Sequence, residues 1–144
     1  KLKKNMKFTR GAKAQWNGSG KEGHGLLTTD SGILSKTKYS FKTRFEDGSK
    51  GTNPEELVGA AHSGCFAMQL SFLLGEEGYT PDTLNVDADV LFEDGSITQI
   101  MLDLEGSVPE ISEEKFKEVA NKAKEICPIS KLLDTEIVLN VTLK

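Results

Sequence analysis

The 144-residue chain is poor in the residues that build covalent staples and metal centres. It holds two cysteines and two histidines, which are too few for the disulfide framework of a small secreted domain. It also contains no uninterrupted run of about 18 apolar residues, the length that a transmembrane helix needs. We therefore expect neither a disulfide-stapled fold nor a membrane span.

Motifs of several enzyme classes are also missing. No P-loop is present, so we expect no nucleotide binding, and no GxSxG motif marks a nucleophilic serine. The absence of CxxC excludes a thioredoxin-type dithiol. Chemistry that uses both cysteines therefore requires the fold to bring together Cys65 and Cys127, which are 62 positions apart.

Charge is unevenly distributed along the chain. Residues 1–21 carry seven basic side chains and no acidic one, whereas the whole chain has a net charge of −4. Aromatic residues are sparse in this basic segment and no nucleic-acid motif follows it, so we expect a solvated extension over residues 1–7 and no nucleic-acid partner. The start of the sequence also lacks an apolar export signal, so we expect the reducing cytoplasm.

Alternating residues predict strands in the first third of the chain. Over residues 38–45, Tyr39, Phe41, Thr43 and Phe45 share one face, and charged or polar residues share the other. Earlier strands are expected over residues 9–17 and 23–29, which glycines punctuate.

A long helix follows. Asn53 is a suitable N-cap, Pro54 fits the first helical position, and Glu56 completes a capping-box pattern. The helix is predicted to end at Gly78. Because no charged side chain occurs between residues 57 and 74, we expect other structure to enclose this helix.

The rest of the chain alternates between strand and helix patterns. Strands are predicted over residues 84–92, 100–104 and 137–143, and a helix capped by Ser112 lies between the last two. A short helix over residues 129–133 follows Cys127-Pro128. The element order βββ-α-ββ-αα-β predicts an α+β fold in a single domain, residues 1–144.

The cysteine in the middle of the long helix has more than one interpretation. Cys65 is either a buried, inert thiol or a nucleophile that needs a fixed cation, for which Arg44 is a candidate. His62, three residues earlier, would pair with Cys65 as an activating base. Alternatively, His62 and Cys65 would form a zinc site together with Cys127 and His24. The lack of characteristic ligand spacing weakens this alternative.

Three segments carry a family resemblance. GTNPEELVGAAHSGCF (residues 51–66), YSFKTRF (39–45) and KAKEICPIS (122–130) closely resemble the osmotically inducible protein C / organic hydroperoxide resistance (OsmC/Ohr) family. The resemblance extends from AQWNG around Trp16 to the last strand, and it is closest to the osmotically inducible branch.

The resemblance implies a thiol-dependent peroxidase that reduces organic hydroperoxides, and hydrogen peroxide less well, in oxidative and osmotic stress defence. It implies antiparallel sheets around a long central helix and an intertwined homodimer. The family's peroxidatic cysteine falls on Cys65, its resolving cysteine on Cys127, its activating and peroxide-binding arginine on Arg44, and the carboxylate that holds the arginine on Glu55. No metal or other cofactor is implied; the reductant is an external, lipoyl-type dithiol.

The spacing of two of these residues bears on the dimer. Glu55 and Cys65 are ten residues apart on one predicted helix, a rise of about 15 Å. Either Arg44 spans most of this distance or the carboxylate comes from a partner chain across a two-fold interface. Two other functions remain open, a stress protein that binds a small apolar ligand in the dimer cleft and a thiol redox sensor.

Overall fold

The computed structural model of the chain describes residues 6–144. Of the basic extension predicted over residues 1–7, residues 1–5 therefore lie outside the described part. The chain divides into two compact units whose boundary lies between Leu57 and Val58. The elements confirm the α+β class and add one short helix to the predicted order.

The first unit contains an antiparallel sheet in the order β1-β2-β3, formed by Ala12–Asn17, His24–Thr29 and Thr37–Tyr39. The first two strands agree with the predicted ranges to within three residues. The segment between these two strands contains three glycines with the spacing of a dinucleotide-binding loop, Gly18, Gly20 and Gly23. Such a loop joins a strand to a helix. Here they join two antiparallel strands, so the spacing belongs to a hairpin.

The strand predicted over residues 38–45 is wrong beyond Tyr39. Phe41–Phe45 form a one-turn helix, α1. The Ser40 hydroxyl accepts from the Thr43 backbone N–H at 3.2 Å, and the Thr43 hydroxyl accepts from the Ser40 N–H at 2.8 Å. This reciprocal capping box satisfies backbone donors that a strand would have paired across the sheet, so the chain turns into a helix despite its alternating side chains.

The long helix, α2, covers Pro54–Glu76 as predicted. Its first turn is closed by the Asn53 side chain, whose Oδ1 accepts the Glu56 backbone N–H at 2.8 Å. It ends where Gly78 takes a left-handed conformation, φ +91°, and the Tyr79 N–H bonds the Leu74 carbonyl.

The second unit contains a sheet in the order β4-β5-β6, formed by Thr83–Glu93, Ser96–Ser107 and Glu136–Leu143. The predicted turn at Asp94-Gly95 joins β4 and β5 as an antiparallel pair, with φ positive at both turn residues.

The pairing of β5 with β6 is parallel, which corrects the expectation of purely antiparallel sheets. The reason lies in the connection. Helices α3 (Glu113–Ile126) and α4 (Pro128–Leu132) carry the chain back to the end at which β5 began, and such a crossover places the next strand parallel.

The core of the second unit lies between the helices and one face of this sheet. The predicted stripe of α3 is buried, and α2 and β5 supply most of the remaining core; its fully buried members include Phe66, Leu70, Leu74, Ile100, Leu102, Phe116, Ala120, Ala123 and Cys127.

Within the single chain, helix α2 is covered on one face only, so its complete enclosure stays a prediction. Ala61, Gly64, Met68 and Phe72 lie exposed on its other face. By length and composition alone α2 could cross a membrane. The core helix of a globular domain has the same length and composition, and the row of buried residues along α2 is typical of such a helix.

Candidate active site

Arg44 and Glu55 form a bidentate ion pair in the first unit. Arg44 Nε donates to Glu55 Oε1 at 3.0 Å and Nη2 donates to Oε2 at 2.8 Å. Arg44 lies on α1, not on the polar face of a strand as predicted. Glu55 lies in the first turn of α2, where the helix dipole favours a carboxylate.

This ion pair fixes the charge of the guanidinium. The hydrogen bonds and charge of Glu55 raise the pKa of Arg44 above its already high ordinary value, against the opposing effect of burial. Arg44 is therefore a permanent cation whose planar head is oriented by both carboxylate oxygens.

A cavity of about 370 Å³ lies beside Arg44 in the same unit. Aromatic side chains form much of its lining, namely Trp16, Tyr39, Phe41 and Phe45. Gly25 lies between Trp16 and Tyr39 in the sheet register, and a Cβ there would overlap both rings. The glycine therefore lets the two rings meet, with centroids 5.4 Å apart.

Cys65 and Cys127 meet in the second unit. Their Sγ atoms are 3.0 Å apart, and both are free thiols. Cys65 lies in α2 and is half-buried, whereas Cys127 is the capping residue between α3 and α4 and is completely buried. Sequence separation alone gave no reason for this contact, which the topology of α2, α3 and α4 creates.

The surroundings of Cys65 oppose its ionisation. Burial is the largest influence and raises the pKa of the Cys65 thiol, and the hydrogen bond between the two thiols raises it further. The backbone N–H of Ile129 acts in the opposite direction and favours the thiolate. A nucleophilic Cys65 therefore needs additional positive charge.

His62 has a partner other than the cysteines. Its Nε2 lies 2.7 Å from the Ser130 hydroxyl, and its Nδ1 is buried with no hydrogen-bond partner among residues 6–144. Burial lowers the pKa of His62, so the ring is neutral at neutral pH. The Cys–His pair considered from the sequence is thus replaced by a Cys–Cys pair and a His–Ser pair.

The geometry of the described residues does not support the zinc alternative either. The described residues contain no group of three or more histidine, cysteine, aspartate or glutamate side chains placed to hold a metal ion. His24 lies in β2, where it is paired with Asn17.

The structure thus joins the four predicted site residues as two pairs, Arg44 with Glu55 and Cys65 with Cys127. Sequence reasoning missed Ser130. Its signal is a matched spacing, because Ser130 follows Cys127 by three residues and His62 precedes Cys65 by three.

Comparison with known proteins finds relatives over nearly the whole length of the chain. A family model described as OsmC-like protein matches residues 46–142. The chain is 46% identical over 143 residues to peroxiredoxin OsmC of Escherichia coli, covering 96% of this chain and 99% of that protein. It is 29% identical to the organic hydroperoxide resistance protein OhrB of Bacillus subtilis, covering 87% of this chain and 91% of OhrB.

Solved structures show the same fold. The crystal structure of B. subtilis OhrB matches 95% of this chain and 98% of its own with a TM-score of 0.67 at 28% identity. An OsmC-like protein of unknown function from Vibrio cholerae matches 94% of this chain and 99% of its own with a TM-score of 0.74 at 19% identity. By sequence over nearly its whole length and by fold, this chain belongs to the OsmC-like protein family.

Proposed function

We propose that this chain reduces organic hydroperoxides to alcohols through Cys65 and Cys127. The observation that carries the proposal is the 3.0 Å contact of two free thiols. The relatives named peroxiredoxin and organic hydroperoxide resistance protein support it. The chain is a thiol-dependent peroxidase.

The proposed cycle has three steps. The Cys65 thiolate attacks the outer oxygen of ROOH; the O–O bond breaks, Cys65 becomes a sulfenic acid, and ROH leaves after taking up a proton. The Cys127 sulfur then attacks the Cys65 sulfur, so that the disulfide forms and water leaves. An external dithiol, for which a lipoyl-type compound is our candidate, reduces the disulfide by exchange and is itself oxidised. Regeneration of both thiols requires a supply of this dithiol, which we expect to be available in the cytoplasm.

Arg44 is assigned the activation of Cys65 and the binding of the peroxide oxygen. The raised pKa of Cys65 creates the need for a cation, and the bidentate pair with Glu55 supplies one of fixed orientation. This proposal requires the two pairs to meet during the reaction.

We assign that meeting to a homodimer. Glu55 and Cys65 lie ten residues apart on the continuous helix α2, about 15 Å of rise, which favours an Arg44–Glu55 pair that acts across an interface between two copies. The exposed apolar face of α2 at Ala61, Gly64, Met68 and Phe72 supports association, because such a face is stabilised when it is covered.

The aromatic cavity beside Arg44 supports an organic substrate. Its volume of about 370 Å³ suits a small alkyl or aryl group, and Arg44 would hold the polar peroxide end. Hydrogen peroxide has no group to fill this space, so we expect it to react more slowly.

A thiol titration tests the proposed function. Reduced protein is mixed with one equivalent of cumene hydroperoxide or hydrogen peroxide, and free thiols are counted over time. We expect both thiols of each chain to disappear, faster with the organic peroxide. Cys65→Ser abolishes consumption, whereas Cys127→Ser retains a single sulfenate-forming step but is not recycled.

Retention of full dithiol-dependent turnover by Cys65→Ser would contradict the mechanism. An unreactive Cys65 together with a co-purified apolar ligand would favour the ligand-binding alternative. Oxidation without turnover would favour a redox sensor.

A further inference from the structure

We infer that the hydrogen bond between His62 and Ser130 positions Cys127 for disulfide closure with Cys65. His62 and Ser130 are thus positioning residues for the second step of the cycle. The inference rests on the proposed function, since it concerns the reaction of the same two cysteines.

The geometry joins the same two segments at two points. His62 precedes Cys65 by three residues on α2, and Ser130 follows Cys127 by three residues on α4. The two sulfurs lie 3.0 Å apart, and His62 Nε2 lies 2.7 Å from Ser130 Oγ. Three helical residues advance about 4.5 Å, so the two contacts lie nearly one helical turn apart along each segment. Two contacts at this separation fix the orientation of the segments, which a single contact would leave free to rotate.

The burial of His62 carries an energetic cost. The residue is 0% exposed, and its Nδ1 is buried without a hydrogen-bond partner in the described part of the chain. An unpaired buried polar atom is destabilising. A leucine or phenylalanine would fill the space without that penalty, so what distinguishes the imidazole here is the bond from its other nitrogen to Ser130.

Closure is the step that depends on this bond. The Cys127 sulfur is completely buried, and it must approach the Cys65 sulfur opposite the departing hydroxyl group. A displacement of about 1 Å can slow a positioned reaction by up to about a hundredfold. Slow closure would also give a second hydroperoxide time to oxidise the sulfenic acid to sulfinic acid.

The first step depends on α4 less strongly. Ile129, in α4, contributes a backbone hydrogen bond that favours the Cys65 thiolate, but burial has the larger influence on this thiol. Loss of the His62–Ser130 bond should therefore affect closure more than the initial attack on the hydroperoxide.

The test separates the two steps in Ser130→Ala. Reduced protein is mixed with cumene hydroperoxide and quenched at intervals with a sulfenic-acid reagent and an alkylating agent, and the products are counted by mass spectrometry. We expect closure about tenfold slower, more sulfinic acid per turnover, and a hydroperoxide-dependent step within about twofold of the parent. Ser130→Thr, which keeps the hydroxyl, should restore closure.

Ser63→Ala is the matched control. Among residues 6–144 the Ser63 hydroxyl bonds only the Ala60 carbonyl of its own helix, so both steps should remain unchanged. His62→Gln provides a second variant, since its side-chain amide can still form a hydrogen bond with the Ser130 hydroxyl, and it should retain more of the closure rate than His62→Leu.

Several results would overturn the inference. One is a Ser130→Ala closure rate within about twofold of the parent; another is an equal loss of both steps together with a disturbed near-ultraviolet circular dichroism spectrum, which indicates a merely structural role. Failure of the proposed function looks different, because the parent protein itself would then form no sulfenic acid or disulfide.

Discussion

At the scale of single residues, Cys65 lacks activation from its immediate neighbours. Burial and Cys127 raise the pKa of its thiol, and the Ile129 N–H only partly opposes them. The thiolate is the nucleophile in peroxide reduction. The rate of Cys65 oxidation should therefore follow the supply of positive charge, which we assign to Arg44.

Replacing Arg44 by Gln should shift the pH dependence of Cys65 oxidation to higher pH. Without the cation a smaller fraction of Cys65 is ionised near pH 7, and each unit of pKa change reduces that fraction about tenfold. Arg44→Lys should recover only part of the rate, because lysine cannot pair with both Glu55 oxygens. The rate is measured with cumene hydroperoxide between pH 6 and 10.

The control for this experiment is Arg10→Gln, which removes an exposed arginine and should leave the profile unchanged. Superimposable profiles for Arg44→Gln and the parent would show that Arg44 does not activate Cys65.

His62 should make folding stability depend on pH. Burial lowers its pKa in the folded state below the ordinary value of 6.5, so the unfolded chain binds the proton first as the pH falls. Its contribution to the free energy of unfolding is therefore present above pH 6.5 and is lost as the pH falls through the lowered pKa. One such group changes stability by at most about 1.4 kcal/mol per pH unit.

Urea unfolding at several pH values between 7.5 and 5 measures this dependence. His62→Gln, which cannot take up the proton, should show a shallower loss of stability in this range. Equal slopes in the two proteins would mean that His62 titrates normally in the folded state.

Residues also show how far the sequence predicts the site. The Cys65 segment and its resemblance to the OsmC/Ohr family identify all four candidate residues, but composition and spacing alone left Cys65 with three interpretations. The contact with Cys127 depends on how α3 and α4 pack against α2, across 62 positions. Local patterns carry no information at that distance.

At the scale of elements, Lys38–Phe45 shows where periodicity fails. Eight residues that alternate in polarity fit a strand, yet of these only Lys38 and Tyr39 lie in one, at the end of β3. A one-turn helix is too short to show a period of 3.6, so the hydroxyl groups of Ser40 and Thr43 decide the structure. By contrast, α3 and β4 are long enough for their periodicity to predict them correctly, and α2 is predicted by its capping residues and by Gly78 at its end.

The direction of β6 was predicted wrongly for a different reason. Its alternating residues predict a strand but are the same whichever way the strand runs. Its parallel pairing with β5 follows from the length and packing of the two helices that precede it. Order along the chain therefore predicted the fold class but not the sheet direction.

Packing between β5 and α3 predicts a sensitive glycine. A Cβ at Gly106 would overlap the ring of Phe116, which is completely buried. We expect Gly106→Ala to lower the free energy of unfolding by about 1–3 kcal/mol through overpacking, as measured by urea denaturation.

The matched control is Gly75→Ala on α2, where a Cβ meets no atom within 4 Å. Because alanine favours helix over glycine by about 1 kcal/mol, this variant should be as stable as the parent or more so. A stability of Gly106→Ala equal to the parent would show that Phe116 moves aside freely.

At the scale of the whole molecule, the exposed face of α2 predicts association. Met68 is 65% exposed in the single chain and lies on the face that we assign to the dimer. Met68→Glu should convert the dimer to monomer, because burying an unpaired carboxylate is strongly unfavourable. Sedimentation velocity measures the change, and peroxidase activity should fall with it if Arg44 acts across the interface.

Ile33→Glu is the control, since Ile33 is 85% exposed and lies outside this face. It should leave both mass and activity unchanged. A monomeric but fully active Met68→Glu protein would show that one chain contains a complete site.

The distance along the chain between the two cysteines has a thermodynamic consequence. A bond between Cys65 and Cys127 would close a loop of about 60 residues that contains β4, β5 and α3. Closing such a loop lowers the entropy of the unfolded chain, and this stabilises the folded state by about 4 kcal/mol. Exposure to hydroperoxide would then raise the melting temperature, and reduction would lower it again. Differential scanning calorimetry should detect this rise in the parent but not in Cys127→Ser. The melting temperature of the protein would then report whether its two cysteines are oxidised or reduced.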